Sequence, residues 1–217
     1  MYDNTILNPE YQYNCPNITN TCMMIDQMFQ QFSKVLVIRI DLSFQYDLAQ
    51  TLNRDNAIWY LTKFRNNMRN NQLFNSMITY MAKLEYGLDK GWHFHVCFCF
   101  NGQQVQNDEY LAIQIGQYWC DTIVGQNLGL YFSCNSRHYD ESGIGMIDYR
   151  DIDKINTFKN IMAYLCKIDA TTLDQFTGLS KMPRTFFRGQ LPAMPETKLG
   201  RPRLYDTSNL NDSNITF

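Results

Sequence analysis

Residues 92–100 alternate without a break, with Trp92, Phe94, Val96, Phe98 and Phe100 on one set of positions and His93, His95, Cys97 and Cys99 on the other. Period-two alternation sends successive side chains to opposite faces, so the pattern predicts a strand with an aromatic core face and a His/Cys second face. Asn101-Gly102 closes it with a turn signal. Upstream, 34–44 (KVLVIRIDLSF) reads as a buried strand, and 76–86 (SMITYMAKLEY) as another that enters the alternating strand through a short turn at 87–91. Two shorter strands are predicted over 130–137 and 146–150. Helical spacing appears three times: over 55–69 with Ile58, Leu61, Phe64 and Met68, over 107–124 with Leu111, Ile115, Tyr118 and Trp119, and over 153–169 with Asp153 as N-cap. Residues 1–30, rich in Asn, read as an irregular N-terminal arm, 31–170 as one domain, and 171–217 as a basic, Pro-containing C-terminal extension. Antiparallel strands joined by hairpins and packed on helices predict an α+β fold with a central antiparallel β-sheet and flanking helices.

Composition narrows the class. The 217 residues are 45% hydrophobic and 14% aromatic, enough for one well-buried domain. Seven cysteines, an odd number with no CxxC, no charged-then-apolar leader and no membrane-length apolar run lead us to expect a cytoplasmic protein with reduced thiols and no membrane contact. No GxxxxGK[ST] motif is present, so no motor ATPase is expected. A net charge of −2 argues against indiscriminate nucleic-acid binding, but the basic residues are clustered. Arg54, Lys63, Arg65 and Arg69 fall on one predicted helix, and the stretch from Lys181 to Arg203 holds six basic residues against one acid.

The His/Cys face raises the question of a metal. Same-face neighbours on a strand are about 6.6–6.8 Å apart, so His93 and Cys99 lie about 20 Å from each other and one ion cannot collect all four residues. The His pair reaches furthest, which leaves Cys97 and Cys99 as small apolar residues beneath another element. The hairpin brings Glu85 opposite the start of the His strand, where it either completes a two-His, one-carboxylate set or stands as a surface glutamate beside a turn. Three ligands with open positions are the arrangement of a catalytic ion. On the predicted helix from Asp153, Ile155, Phe158, Ile161, Met162, Leu165 and Ile168 make an apolar stripe, with Asn160, Tyr164 and Lys167 on its flank. Tyr164 is then either amphipathic packing or, beside a cation and a metal, a nucleophile whose phenol is otherwise inert at neutral pH.

These pieces resemble the HUH superfamily of rolling-circle replication endonucleases, whose pattern is an apolar first strand, a His-hydrophobic-His strand and a helix carrying YxxK. Here they stand in that order as VLVIRIDLSF, HFH and YLCK. Within it the chain is most similar to the inovirus-type phage and prophage replication proteins, the YagK/YfjJ-like group, over about residues 34–169, with RIDLSF, the LEYG…GWHFHVCFCFNG hairpin, AYLCK, and weaker echoes in RTFFRG and GRPR. The resemblance implies a five-stranded antiparallel sheet related to the ferredoxin-like arrangement, with Mg²⁺ or Mn²⁺ bound by Glu85, His93 and His95. It implies that Tyr164 attacks a phosphorus of single-stranded or locally melted origin DNA, leaving a 3′-hydroxyl and a 5′-phosphotyrosine, while Lys167 steadies the phosphate or the metal site. Positions 160 and 168 are Asn and Ile, so the second tyrosine of some relatives is missing. In this reading Asn160 and Asp41 stand behind the metal and tyrosine, although Asp41 also has Arg39 as a candidate ion-pair partner.

For DNA contacts the candidates are Arg54, Lys63, Arg65 and Arg69, against the alternative of a solvated helix face, and Arg201 and Arg203 in KLGRPRL, either a minor-groove contact or a basic turn. His138 is read as surface. Three functions compete: a nicking and joining enzyme that starts phage, prophage or plasmid replication with a borrowed host helicase, an origin- or operator-binding regulator that keeps the fold without nicking, and a transposase or relaxase of the same superfamily.

Overall fold

The structure, a computed structural model, describes residues 12–136, 143–180 and 183–193. Its first half contains β1 (Gln12–Tyr13), α1 (Cys15–Gln31), β2 (Lys34–Phe44), α2 (Tyr46–Thr51), α3 (Arg54–Met68), β3 (Met77–Gly87) and β4 (Gly91–Asn101). The second half adds α4 (Asp108–Tyr118), β5 (Gly129–Ser133), β6 (Gly145–Asp148), α5 (Ile152–Tyr164), β7 (Lys167–Ile168), α6 (Ala170–Asp174) and β8 (Phe186–Arg188). The chain is α+β: six strands form one antiparallel sheet in the order β5-β2-β4-β3-β8, with β6 also paired to β2, and β1 and β7 form a separate two-stranded ladder.

Alternation gives this sheet two cores. Leu36, Ile38, Ile40 and Leu42 of β2, with Phe94, Val96, Phe98 and Phe100 of β4, pack under α2, α3 and α4. On the other face Val35, Val37, Met81, Cys97 and Cys99 pack under α1 and α5. Cys97 and Cys99 are therefore core residues beneath helices, as the spacing argument predicts, and all seven cysteines are free thiols. Asp26 of α1 and Lys159 of α5 form an ion pair within this second layer, where both side chains are buried. No described helix is long and apolar enough to cross a membrane.

Several sequence expectations need correction. The segment read as an irregular arm forms α1 from Cys15 onward: Asn14 caps it by accepting from the Asn17 amide, Pro16 occupies its first turn, and Ile18, Cys22, Ile25 and Phe29 make a buried stripe. The helix expected over 153–169 starts at Ile152, with Asp151 as its cap, and stops at Tyr164. It stops because residues 12–14 capture the next backbone groups: Asn14 donates to the Cys166 carbonyl at 3.0 Å and Tyr13 pairs with Lys167. Lys167 thus lies on a strand and not on the helix of Tyr164. The extension from 171 is partly structured, since β8 adds to β3 at Met81–Lys83 and Phe176, Phe186 and Phe187 are buried. The strand expected over 130–137 ends at Ser133 and bends into a 3₁₀ turn. There the Asn135 side chain accepts from the Arg39 amide and donates to the Val37 carbonyl, filling the gap that β5 and β6 leave on β2.

Candidate metal centre and its tyrosine

The hairpin register sets Glu85 opposite His93 and Lys83 opposite His95, and on the other side β2 sets Asp41 opposite His95. All five therefore belong to the second face, where the polar residues continue the alternation past Cys97 and Cys99. One ligand atom from each of Glu85, His93 and His95 lies within 4.8 Å of the other two, so the trio could hold a metal ion.

Each imidazole is oriented from behind. His93 donates from Nδ1 to the Gly91 carbonyl at 3.1 Å, which only accepts, so Nε2 keeps its lone pair for the site. His95 places Nδ1 2.6 Å from Asp41 Oδ1 and Nε2 3.3 Å from Glu85 Oε2. Two ligands about 2.1 Å from one ion are about 3.0–3.5 Å apart, so the His95–Glu85 spacing already suits a shared cation. Glu85 Oε1 is enclosed and has no hydrogen-bond partner, and Lys167 Nζ stands 3.7 Å away. An enclosed carboxylate oxygen without a donor fits a site built for a cation. The carboxylate–histidine arrangement of Asp41 and His95 is the support that metal-binding imidazoles usually have. Asp41 therefore takes His95, and not Arg39, as its partner.

The electrostatics follow from this packing. Burial raises the Glu85 pKa, but hydrogen bonding and charge from His95, with Lys167 and Lys83 behind it, outweigh burial and hold the carboxyl at about 2. Burial lowers His95, yet its bonds to Asp41 and Glu85 prevail and carry it to about 9. His93 is pushed below the ordinary imidazole value by burial, against the Gly91 carbonyl.

Tyr164 ends α5 at the rim of this cluster and is 38% exposed. Its hydroxyl accepts from Lys167 Nζ at 3.0 Å, and that ammonium also sits 4.5 Å from its ring centroid. Lys167 thus spans from Tyr164 to Glu85. Asn160 lies one turn before Tyr164 and is half-buried. Lys83, which the sequence pattern does not single out, is buried and donates to the Lys167 carbonyl at 2.8 Å and to Thr185 Oγ1 at 3.3 Å, fixing the strand that carries Lys167. The one signal for it is its place two residues before Glu85 on the same face. A cavity of about 580 Å³ opens beside His93, lined by Asp41, Tyr46, Lys90, Tyr131 and Phe132 among others.

The basic residues divide. Lys63 donates to the Thr122 and Ile123 carbonyls at the end of a π-helical turn that follows α4, so it serves as a helix cap. Arg54 pairs with Asp55 and donates to the Arg184 carbonyl, tying α3 to the C-terminal segment. Both of these expected DNA contacts thus also have partners within the protein. Arg65 on α3 and Arg69, its C-cap, are exposed. Arg201, Arg203 and His138 lie outside the described residues.

Residues 3–177, well over half of the chain, match the profile of a protein family described as the YagK/YfjJ C-terminal domain. No curated protein and no solved structure matches the chain.

Proposed function

The chain belongs to the YagK/YfjJ C-terminal domain family, and we propose that it is a replication-initiation endonuclease of the HUH type, which nicks and rejoins single-stranded origin DNA through a 5′-phosphotyrosine link. The observation that carries this reading is Lys167, 3.0 Å from the Tyr164 hydroxyl and 3.7 Å from Glu85, which sets a phenol beside a three-residue metal set. Glu85, His93 and His95 would hold Mg²⁺ or Mn²⁺; such an ion, when bound, polarises the scissile phosphate and offsets its growing charge.

The remaining work belongs to the chain. Tyr164 Oη forms a bond to phosphorus as the bond to the 3′-oxygen breaks. The phenol proton leaves and the 3′-oxygen takes one up, so the products are a 3′-hydroxyl and a 5′-phosphotyrosine. The Lys167 ammonium favours the phenolate that attack requires. Retention of the phosphodiester in the tyrosine link lets the reverse step rejoin ends without ATP. Asp41 keeps His95 in its tautomer and orientation. Beside His93, exposed Tyr46 and Phe132 offer faces for bases and Lys90 a charge for the backbone.

The test is incubation with origin-like single-stranded DNA and Mn²⁺, followed by denaturing electrophoresis. A DNA–protein band that survives denaturation and vanishes in Tyr164→Phe is expected. DNA binding with no such band in either protein would instead make the chain a regulator with the fold and without the chemistry.

A further inference from the structure

The groove between α3 and the start of β3 is unaccounted for by the metal centre. It has a volume of about 660 Å³, and Arg65, Arg69, Arg188, Thr79, Tyr80 and Gln190 are among its lining residues, with no carboxylate among the described ones. Arg65 in the last turn of α3 and Arg69, its C-cap, both line the groove. Arg188 of β8 borders it, but pairs with Met81 and so turns its side chain to the α1 face of the sheet.

Its floor carries enclosed hydroxyl groups. Thr79 Oγ1 has no hydrogen-bond partner, and the Tyr80 hydroxyl has only the Arg65 side chain beside it, the two residues being 2% and 6% exposed. The guanidinium of Arg65 stands 5.8 Å from the Tyr80 ring centroid. Burial raises the Tyr80 pKa against the opposing charges of Arg65, Arg184 and Arg69, so the hydroxyl stays a neutral donor. Gly189, in the RTFFRG stretch, keeps the recess open. Its amide donates to the Tyr80 carbonyl at 2.8 Å, and a Cβ there would come within 2.9 Å of Thr79 Oγ1 and 3.1 Å of the Tyr80 ring.

Planar guanidinium forks, unopposed by acids and gathered over enclosed hydroxyl groups, are chemistry for phosphate oxygens. The recess is larger than one phosphate requires and suits a run of backbone. We propose that this groove is a metal-independent site for the phosphates of a single nucleic-acid strand, held by Arg65 and Arg69. The anion chemistry stands on the groove itself; that the strand is the one cut at Tyr164 rests on the function proposed above. Tyr80 is five residues from Glu85 along β3, about 17 Å, and on the opposite face of the sheet, so the groove lies away from the reacting phosphate.

The experiment measures fluorescence anisotropy of a labelled oligothymidine in EDTA over a range of NaCl concentrations. Wild-type protein is expected to bind, and the R65Q/R69Q double variant to flatten the slope of log K against log[NaCl] by about 1.4, at about 0.7 for each single-strand phosphate that is no longer neutralised. R65K/R69K, which keeps the charge, and Arg150→Gln, which removes one elsewhere, are expected to retain the wild-type slope. The site is refuted if wild-type protein does not bind, or if R65Q/R69Q keeps its slope. The two readings separate cleanly. Weakened binding in the groove variants with no Tyr164 adduct in wild type would sink the nicking chemistry and leave the groove. An adduct together with unchanged salt slopes would do the reverse.

Discussion

At one end of the sheet's second face Val35, Val37, Cys97 and Cys99 are fully enclosed beneath α1 and α5. Further along the same alternation of β4, His95 and His93 stand with Glu85 and Asp41 where that helix cover gives out. The pairing of β4 with β2 and β3 runs unbroken from Cys99 to His95, so the central ladder does not distinguish the two ends. The difference comes from what lies above. α5 stops at Tyr164 because residues 12–14 take over the next backbone groups, and its last side chain is delivered to the open end. Termination of one helix thus both uncovers the polar cluster and supplies its phenol.

The strongest way to break this contrast is at the open end. Tyr164→Phe removes one oxygen from a partly exposed side chain, so its stability should change by less than about 0.5 kcal/mol. Formation of the covalent DNA adduct should fall on the order of 10⁶-fold, to background, as for loss of a nucleophile. Adduct formation rates and thermal melts on the same preparations check both halves. A variant that still forms the adduct would move the nucleophile elsewhere.

The sealed end should answer in stability instead. Lys159→Met leaves the buried Asp26 carboxylate without its cation, which should cost about 3–5 kcal/mol in urea unfolding. D26L/K159M, which removes both charges, should recover most of that loss. If the single variant unfolds like wild type, the α1–α5 layer is not packed as described.

Support for the metal set is a smaller effect. Asp41→Asn weakens the group that orients His95, and metal affinity should drop by about 10–100-fold. Titration calorimetry with Mn²⁺ reads this directly, and equal affinity in the two proteins would mean that Asp41 plays no part.

How much of this is legible in the sequence depends on how local each cause is. The trio of Glu85, His93 and His95 is legible because strand alternation and a tight hairpin place all three. The Asp41–His95 contact depends on the pairing of β2 with β4 across 54 residues, so the sequence can only offer Asp41 a choice of partners. α1 has its stripe in view at Ile18, Cys22, Ile25 and Phe29, but Asn and Thr between them read as irregular chain until a second core exists to bury it. The end of α5 is invisible, since apolar Leu165 and Ile168 continue the helical stripe and only distant residues 12–14 interrupt it. Lys63 likewise looks like a basic helix residue until the carbonyls of Thr122 and Ile123 are placed above it. The groove at Tyr80 requires β8 to dock on β3, which no local pattern announces.

The smallest predicted effect sets two buried carboxylates against each other. Asp26 in the sealed layer has its pKa raised because desolvation outweighs Lys159, while Glu85 is held at about 2 because its cations outweigh desolvation. The signs follow from proton linkage. Glu85 binds its proton less readily when folded, so its stabilisation is present above 4.5 and is lost as pH falls from there towards about 2. Asp26 binds its proton more readily when folded, so its contribution declines as pH rises from 3.8 through the higher folded value. In metal-free protein, the stability of wild type relative to Glu85→Gln should therefore increase with pH through the acid range. Relative to Asp26→Asn it should decrease. Urea midpoints of the three proteins across that range decide the matter. If both differences run in the same direction, the two ends of the face do not treat charge differently, and the polar cluster loses its distinction from an ordinary buried network.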